Sequence, residues 1–209
     1  SENCSLHSSF FWGSVDVPTA GIFMMVGTVS DGKKIDYDEM MTFISTDGGR
    51  TWRMVFEYPT QCAFGDLGNI ILAMPYRPDE DEDPQSEFYY SLDHGKTWAE
   101  YQLEKTVFPI DFKSTTPDGS GLNFVISGFS SDESAEMMKT YVYSIDFSEA
   151  YEEKACDSKD FETWELAEGK CINGAKYSGK RRKQNSKCLV RKVFENLQMD
   201  EEPCQQCTE

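Results

Sequence analysis

Between residues 20 and 145 the chain alternates short apolar runs with clusters of turn-forming residues. The runs, rich in β-branched and aromatic side chains, are Ile22 to Val29, Met40 to Ser45, Trp52 to Tyr58, Asn69 to Met74, Phe88 to Ser91, Val107 to Phe112, Leu122 to Ser127 and Thr140 to Ile145. Between them stand Asp31-Gly32, Asp47-Gly48-Gly49, Asp93-His94-Gly95 and Pro117-Asp118-Gly119, combinations that favour turns. No stretch sustains the three-and-four spacing of an amphipathic helix, so this part is expected to be all-β. Its longest apolar run, Gly21 to Val29, falls far short of the ~20 residues of a membrane helix, and direct membrane insertion by this segment is not expected. Near residue 148 the strand pattern stops, cysteines become dense and charges cluster in Glu149 to Asp160 and Lys180 to Lys183. The expected division is therefore residues 1–147 and a small cysteine-rich module over 148–209.

One internal repeat organises the first part. Ser45-Thr46-Asp47-Gly48-Gly49-Arg50-Thr51-Trp52 and Ser91-Leu92-Asp93-His94-Gly95-Lys96-Thr97-Trp98 share the pattern S-x-D-x-G-x-T-W, the second starting 46 residues after the first. That period suits one four-stranded propeller blade. Each copy lies between two strand-like runs, as a hairpin turn would. The Asp carboxylates (Asp47, Asp93) can accept backbone N–H bonds inside the turn, and Gly49 and Gly95 supply a positive φ. The hydroxyls of Ser45, Thr51, Ser91 and Thr97 can satisfy further backbone groups, and Trp52 and Trp98 can wedge their rings between strands. These are Asp-box hairpins. Their residues are assigned a structural role, with no catalytic, cofactor or metal function. His94 fills a variable box position and is expected to be an exposed turn residue.

Charge and cysteine content narrow the partners. Against 20 Lys and Arg stand 37 Asp and Glu, a formal charge of −17; so acidic a surface repels phosphate and argues against nucleic acid. The 39% hydrophobic fraction is enough for a packed core and excludes wholesale disorder. The cysteines are Cys4, Cys62, Cys156, Cys171, Cys188, Cys204 and Cys207. A zinc site built on Cys204-Gln205-Gln206-Cys207 lacks a second pair at suitable spacing, so disulfides in an oxidising compartment are the better reading. The acidic run Asp79 to Asp83 lacks the glycine turn of a calcium loop and reads as a solvated loop tip. Lys180-Arg181-Arg182-Lys183 reads as a solvated loop or hairpin tip, in preference to a processing site or an anion patch. No signal peptide heads the chain, which opens Ser1-Glu2-Asn3-Cys4, so any signal or anchor is expected outside it. Asn3-Cys4-Ser5 is a formal N-glycosylation sequon at Asn3.

Asp boxes occur in several propeller families. A sialidase-like glycoside hydrolase is the alternative from a different class; its only echo here is Tyr76-Arg77-Pro78, one residue short of the arginine motif and placed after an Asp box. The stronger resemblance is to the luminal domain of sortilin-type, vacuolar protein sorting receptors. Cys4-Ser5-Leu6-His7 resembles the segment opening the penultimate propeller blade, and Ala20-Gly21-Ile22 the strand after it. Phe64-Gly65-Asp66-Leu67-Gly68-Asn69-Ile70-Ile71 is similar to the family's Gly-Asp-x-Gly-x-Ile pattern between two boxes. Tyr143-Ser144-Ile145-Asp146-Phe147 resembles the strand leading out of the propeller. Asp160-Phe161-Glu162-Thr163-Trp164 and Cys171-Ile172-Asn173-Gly174 resemble the opening of the ten-cysteine module.

The resemblance implies a mainly β fold: the last blades of a ten-bladed Asp-box propeller followed by a small disulfide-rich module. It implies the pairs Cys156–Cys188 and Cys171–Cys204, each closing a loop worth ~3–4 kcal/mol in the chain-entropy model, with Cys4 and Cys207 paired outside this chain; Cys62 has no counterpart in the family pattern and reads as a free, buried thiol. Thr140 to Ile145 is expected to present an open edge that the remainder of the luminal domain covers. The implied function is capture of protein or peptide cargo in the Golgi and endosomes, with release on acidification, in the lumen or on the extracellular side of a single-pass receptor, without a cofactor and without enzymatic activity.

Overall fold

Ile70 to Pro75 is buried at every position, which a strand achieves only when both of its faces are covered. The computed structural model, which describes residues 4–8, 19–31, 39–76, 84–130, 139–191 and 199–205, shows what covers them. A first antiparallel sheet takes β1 (Ser5–Ser8), β2 (Phe23–Ser30), β3 (Met41–Ser45) and β4 (Arg53–Phe56) in chain order. A second, six-stranded sheet runs β5 (Thr60–Gly65), β6 (Ile70–Pro75), β7 (Gln85–Ser91), β8 (Ala99–Ser114), β9 (Asn123–Ser130) and β10 (Thr140–Asp146). On β6 the period of two divides the labour. Ile71 joins Ile22, Met24, Ile44 and Phe64 in a cluster against the first sheet, while Ile70, Leu72 and Met74 face Phe88, Val107, Phe112, Phe124 and Ile126 on the other side. β6 is thus covered on one face by the first sheet and on the other by the curled far half of its own sheet, and each buried Ile or Leu contributes about 1.5–3 kcal/mol.

The run Val107 to Phe112, read from the sequence as a strand of its own, is the second half of β8, 16 residues long. β8 pairs with β7 through its first half and with β9 through its second. The pairing with β9 shifts register between Pro109 and Asp111, where a proline can lack a ladder N–H at small cost. Strands also continue past residue 148, where the apolar pattern had stopped: β11 (Phe161–Glu165), β12 (Ala175–Arg182) and β13 (Asp200–Pro203) form a third antiparallel sheet. Disulfides join Cys156 to Cys188 across 32 residues and Cys171 to Cys204 across 33. The whole is mainly β, a partial propeller followed by a disulfide-rich module.

At the far end of the six-stranded sheet β10 pairs with β9 alone among the described residues. Tyr141, Tyr143 and Ile145 pack onto the core, while Val142 on the opposite face is 67% exposed.

Candidate functional site at the Asp-box rim

The two boxes make the same turn from the same groups. Ser45 Oγ donates to Asp47 Oδ1 at 2.9 Å and accepts from the Gly49 N–H at 2.9 Å. Asp47 accepts from the Thr51 N–H at 2.9 Å and from the Thr51 hydroxyl at 2.6 Å. Trp52 Nε1 donates to the Gly49 carbonyl at 3.0 Å. In the second box Ser91 Oγ donates to Asp93 Oδ1 at 2.9 Å and accepts from Gly95 N at 2.8 Å; Thr97 donates to Asp93 through N and Oγ1 at 2.8 and 2.7 Å; and Trp98 Nε1 reaches the Gly95 carbonyl at 3.1 Å. Gly49 and Gly95 take positive φ, as do the residues before them, Gly48 and His94. Burial pushes both carboxyls up, but the threonine hydroxyl and amide, with the serine hydroxyl, outweigh it and hold both below the usual carboxylate range. Each carboxylate thus accepts three hydrogen bonds from its own turn.

His94 is not exposed. It is 2% accessible, with a left-handed φ of 56°, and its Nε2 lies 3.0 Å from Asn69 Oδ1. Asn69 Nδ2 donates to the Asp66 carbonyl at 2.7 Å, which leaves Oδ1 as acceptor and makes His94 Nε2 the donor. Burial, and then the positive charges of Arg182 and Arg181, push His94 down to about 3. It is neutral throughout the physiological range.

The basic run is no loop tip. Lys180, Arg181 and Arg182 close β12, and Arg182 is 1% exposed. Arg181 Nη1 donates to the Thr46 carbonyl at 2.9 Å and the Ala20 carbonyl at 3.3 Å, while its Nε pairs with Glu162 at 2.8 Å. Arg182 donates through Nη2 to the Leu92 carbonyl and through Nη1 to the Cys188 carbonyl at 2.8 Å. Thr46 and Leu92 hold the same place in the two repeats, so consecutive arginines of one strand grip equivalent carbonyls of both boxes. Around this grip Trp164 lies against Gly21 and Gly48, so closely that a Cβ on Gly21 would come within 2.4 Å of its ring. Tyr151 Oη and Gln184 Nε2 donate to the Leu92 and Asp93 carbonyls at 2.9 and 3.1 Å.

A second anchor lies deeper. In the sequence Cys188-Leu189-Val190-Arg191, Leu189 is fully buried in the main core beside Ala63, Leu72 and Phe124, and Val190 packs on Leu67 and the Cys156–Cys188 bridge. Buried Asp66 accepts from the Val190 N–H at 2.8 Å and the Arg191 N–H at 2.6 Å. Burial raises its carboxyl, against those two amides and the charges of Arg182 and Arg191. Asp66 was legible only as part of a family pattern, and Leu189 carried no signal beyond a lone leucine after a cysteine.

Other candidates divide. Cys62 is free and half-buried as a residue, with its thiol covered; burial pushes it up to about 12, the Thr60 hydroxyl 3.3 Å away pulling the other way. Cys4 is free and exposed. Asn3, Arg77 and Pro78 of the arginine-motif echo, the run Asp79 to Asp83, and Cys207 lie outside the described residues. Among the described residues, Cys156, Asp160 and Cys188 converge within 4.8 Å, but their sulfurs are bonded to each other and offer no thiolate. A cleft of about 450 Å³ opens between the second box and residues 184–187, walled by Tyr90, Trp98 and Tyr151.

Comparison with known proteins decides the family. A family model described as "Sortilin, neurotensin receptor 3" matches residues 1–112, and its C-terminal counterpart matches residues 115–209. The chain belongs to the sortilin family. Among sortilin-family relatives, the vacuolar protein sorting/targeting protein 10 of Zygosaccharomyces rouxii is 58% identical over 209 residues, all of this chain and 13% of that protein. The vacuolar protein sorting/targeting protein PEP1 of Saccharomyces cerevisiae is 55% identical over 210 residues, again all of this chain and 13% of that protein. A membrane glycoprotein of S. cerevisiae is 50% identical over 194 residues, 89% of this chain and 17% of its own length. The chain spans about 13% of the length of the first two. Among the described residues no helix is long and apolar enough to cross a membrane.

Proposed function

We propose that this chain supplies the closing blades and the bracing module of a vacuolar sorting receptor's luminal, cargo-binding region, with residues 1–147 as blades and 148–209 as the brace. The observation that carries the reading is the double arginine grip. It fixes two adjacent blades to a disulfide-held sheet, which is what a large recognition surface needs to keep its shape when cargo binds. In this reading the box residues Ser45 to Trp52 and Ser91 to Trp98 are structural. Cys4 and Cys207 bond to segments beyond this chain, and β10 receives a strand from the rest of the receptor. Protein or peptide cargo is bound on the luminal side of Golgi and endosomal membranes, without catalysis.

The test is a receptor carrying Arg181→Ala and Arg182→Ala together, assayed for a soluble vacuolar hydrolase appearing in the medium. Secretion is expected to rise well above wild type while the receptor still reaches the Golgi; wild-type retention of the hydrolase would sink the proposal. A sialic-acid hydrolysis assay on the same protein is expected to give no turnover, and measurable turnover would favour the glycosidase alternative.

A further inference from the structure

The cleft between the second box and residues 184–187 has a volume of about 450 Å³, within the ~300–1,000 Å³ of ordinary ligand clefts. Its three aromatic walls are each held by a group outside it. Trp98 meets Phe56 edge-on at 4.9 Å, Tyr90 meets Phe147 edge-on at 5.3 Å, and the Arg182 guanidinium lies over the Tyr151 ring at 5.6 Å. On the module side Ser186 Oγ donates to Asp160 Oδ1 and Gln184 Nε2 to the Asp93 carbonyl, both at 3.1 Å. Walls fixed in advance lose little freedom when something binds between them.

The lining selects the chemistry of the ligand. Its carboxylate, Asp93, already accepts three hydrogen bonds from its own turn. The Tyr90 hydroxyl, the Asn185 amide and the Lys187 ammonium, by contrast, hold no hydrogen-bond partner among the described residues. These groups are rich in N–H and O–H donors and poor in acceptors. A sugar, whose every hydroxyl brings a donor of its own, matches such a lining poorly, and a cationic side chain is repelled by Lys187. A proline-rich segment in the polyproline II conformation matches it well. Its pyrrolidine rings pack on aromatic walls, its carbonyls accept, and its prolines bring no N–H that needs an acceptor. We infer that this cleft docks a proline-rich, extended segment of a partner protein. The inference narrows the peptide ligands proposed above to one class and gives them a place, and so rests on that reading; the secretion assay tests the one and direct titration the other.

Fluorescein-labelled decaproline titrated into the intact receptor is the test, with a glycine-serine peptide of equal length and a mannose oligosaccharide as competitors. Saturable binding that neither competitor displaces is the expected result. No saturable binding, or displacement by the oligosaccharide, overturns the inference. Asn185 and Lys187 are both exposed, so replacing them together (Asn185→Ala with Lys187→Ala) removes the free donors without disturbing the core. This variant is expected to bind decaproline about tenfold more weakly, and unchanged affinity overturns the inference. Should the variant fail to fold, decaproline carrying a photoreactive group at one end decides on the unmodified protein. Crosslinks mapped to residues 90–99 or 184–187 support the cleft, and crosslinks confined to other segments overturn it.

Discussion

In the first box the turn residues Gly48 and Gly49 are half-buried, and the cysteine-rich module meets them with Trp164, Leu166 and the exposed pair Arg50–Glu168. In the second, the equivalent residues are His94 and Gly95, both buried, and the module meets them with Arg182, Tyr151 and Gln184. The internal hydrogen bonds match to within 0.1 Å in each pair quoted above. The repeated sequence therefore dictates the turn and says nothing of its load. What differs is the variable position, glycine in one and histidine in the other, and the depth at which the brace is seated. The second box is the more buried of the two at its variable position, while the first is held nearer the surface by Arg181, Trp164 and Leu166.

The largest consequence concerns the two arginines. Arg182→Ala removes a side chain that is 1% exposed together with its bonds to the Leu92 and Cys188 carbonyls, and is expected to cost about 3 kcal/mol. Arg181→Ala, at the shallower box, should cost about 1–2 kcal/mol. Urea unfolding at pH 7 measures both, and equal losses would remove the asymmetry. The aspartates follow in the same order. Asp93→Ala and Asp47→Ala each delete three accepted hydrogen bonds of the same geometry. The second-box change is expected to cost about 2 kcal/mol and the first about 1.5 kcal/mol, because the threonine donors are exposed in both boxes and only the Asp93 carboxyl is somewhat more enclosed than that of Asp47. A larger loss at Asp47 would contradict the reading.

How far the sequence revealed this depends on the range of the interactions. Ser45 to Trp52 and Ser91 to Trp98 were legible because every bond of the turn lies within eight residues, so the residue pattern contains the geometry. His94 was misplaced because nothing inside a turn records what docks on it from 90 residues away. Arg181 and Arg182 were misread for the same reason: a charge run is normally solvated, and the carbonyls that accept here, Thr46 and Leu92, come from other parts of the chain. β5 escaped because Thr60-Gln61-Cys62-Ala63-Phe64-Gly65 lacks bulky alternation, its faces being small where they meet neighbouring sheets. β11 to β13 were hidden by charge, since only one side of a thin, disulfide-held sheet needs apolar residues.

Acid sharpens the comparison between the boxes. His94 has a folded value depressed to about 3 against 6.5 when unfolded, so below pH 6.5 the unfolded chain takes up a proton that the native state refuses. Its contribution is therefore lost progressively as pH falls from about 6.5 toward 3, amounting to about 2 kcal/mol between pH 7 and pH 5. The first box has glycine at this position and contributes nothing in that window. Asp47 and Asp93, held below their ordinary range, lose their stabilisation only as pH falls further, through the carboxylate region. Asp66, raised by burial, acts in the opposite sense, since its protonation on acidification favours the folded state. His94→Asn tolerates the left-handed backbone and is expected to flatten the slope of stability between pH 7 and pH 5. A variant with the wild-type slope would show that another group carries the acid response.

The smallest effect belongs to the ion pair that, among the described residues, reaches from the first box across to the module. Arg50 and Glu168 approach to 3.2 Å, with 46% and 74% of their side chains exposed. At that exposure water and salt screen the attraction, and ordering two long side chains costs entropy. Glu168→Gln is therefore expected to change stability by less than about 0.5 kcal/mol, the change fading as salt is raised. The comparison needs this null. If removing an exposed pair at the first box cost as much as removing buried Arg182 from the second, burial would not be what separates them. The difference would then have to lie in the turns, whose hydrogen bonds are the same.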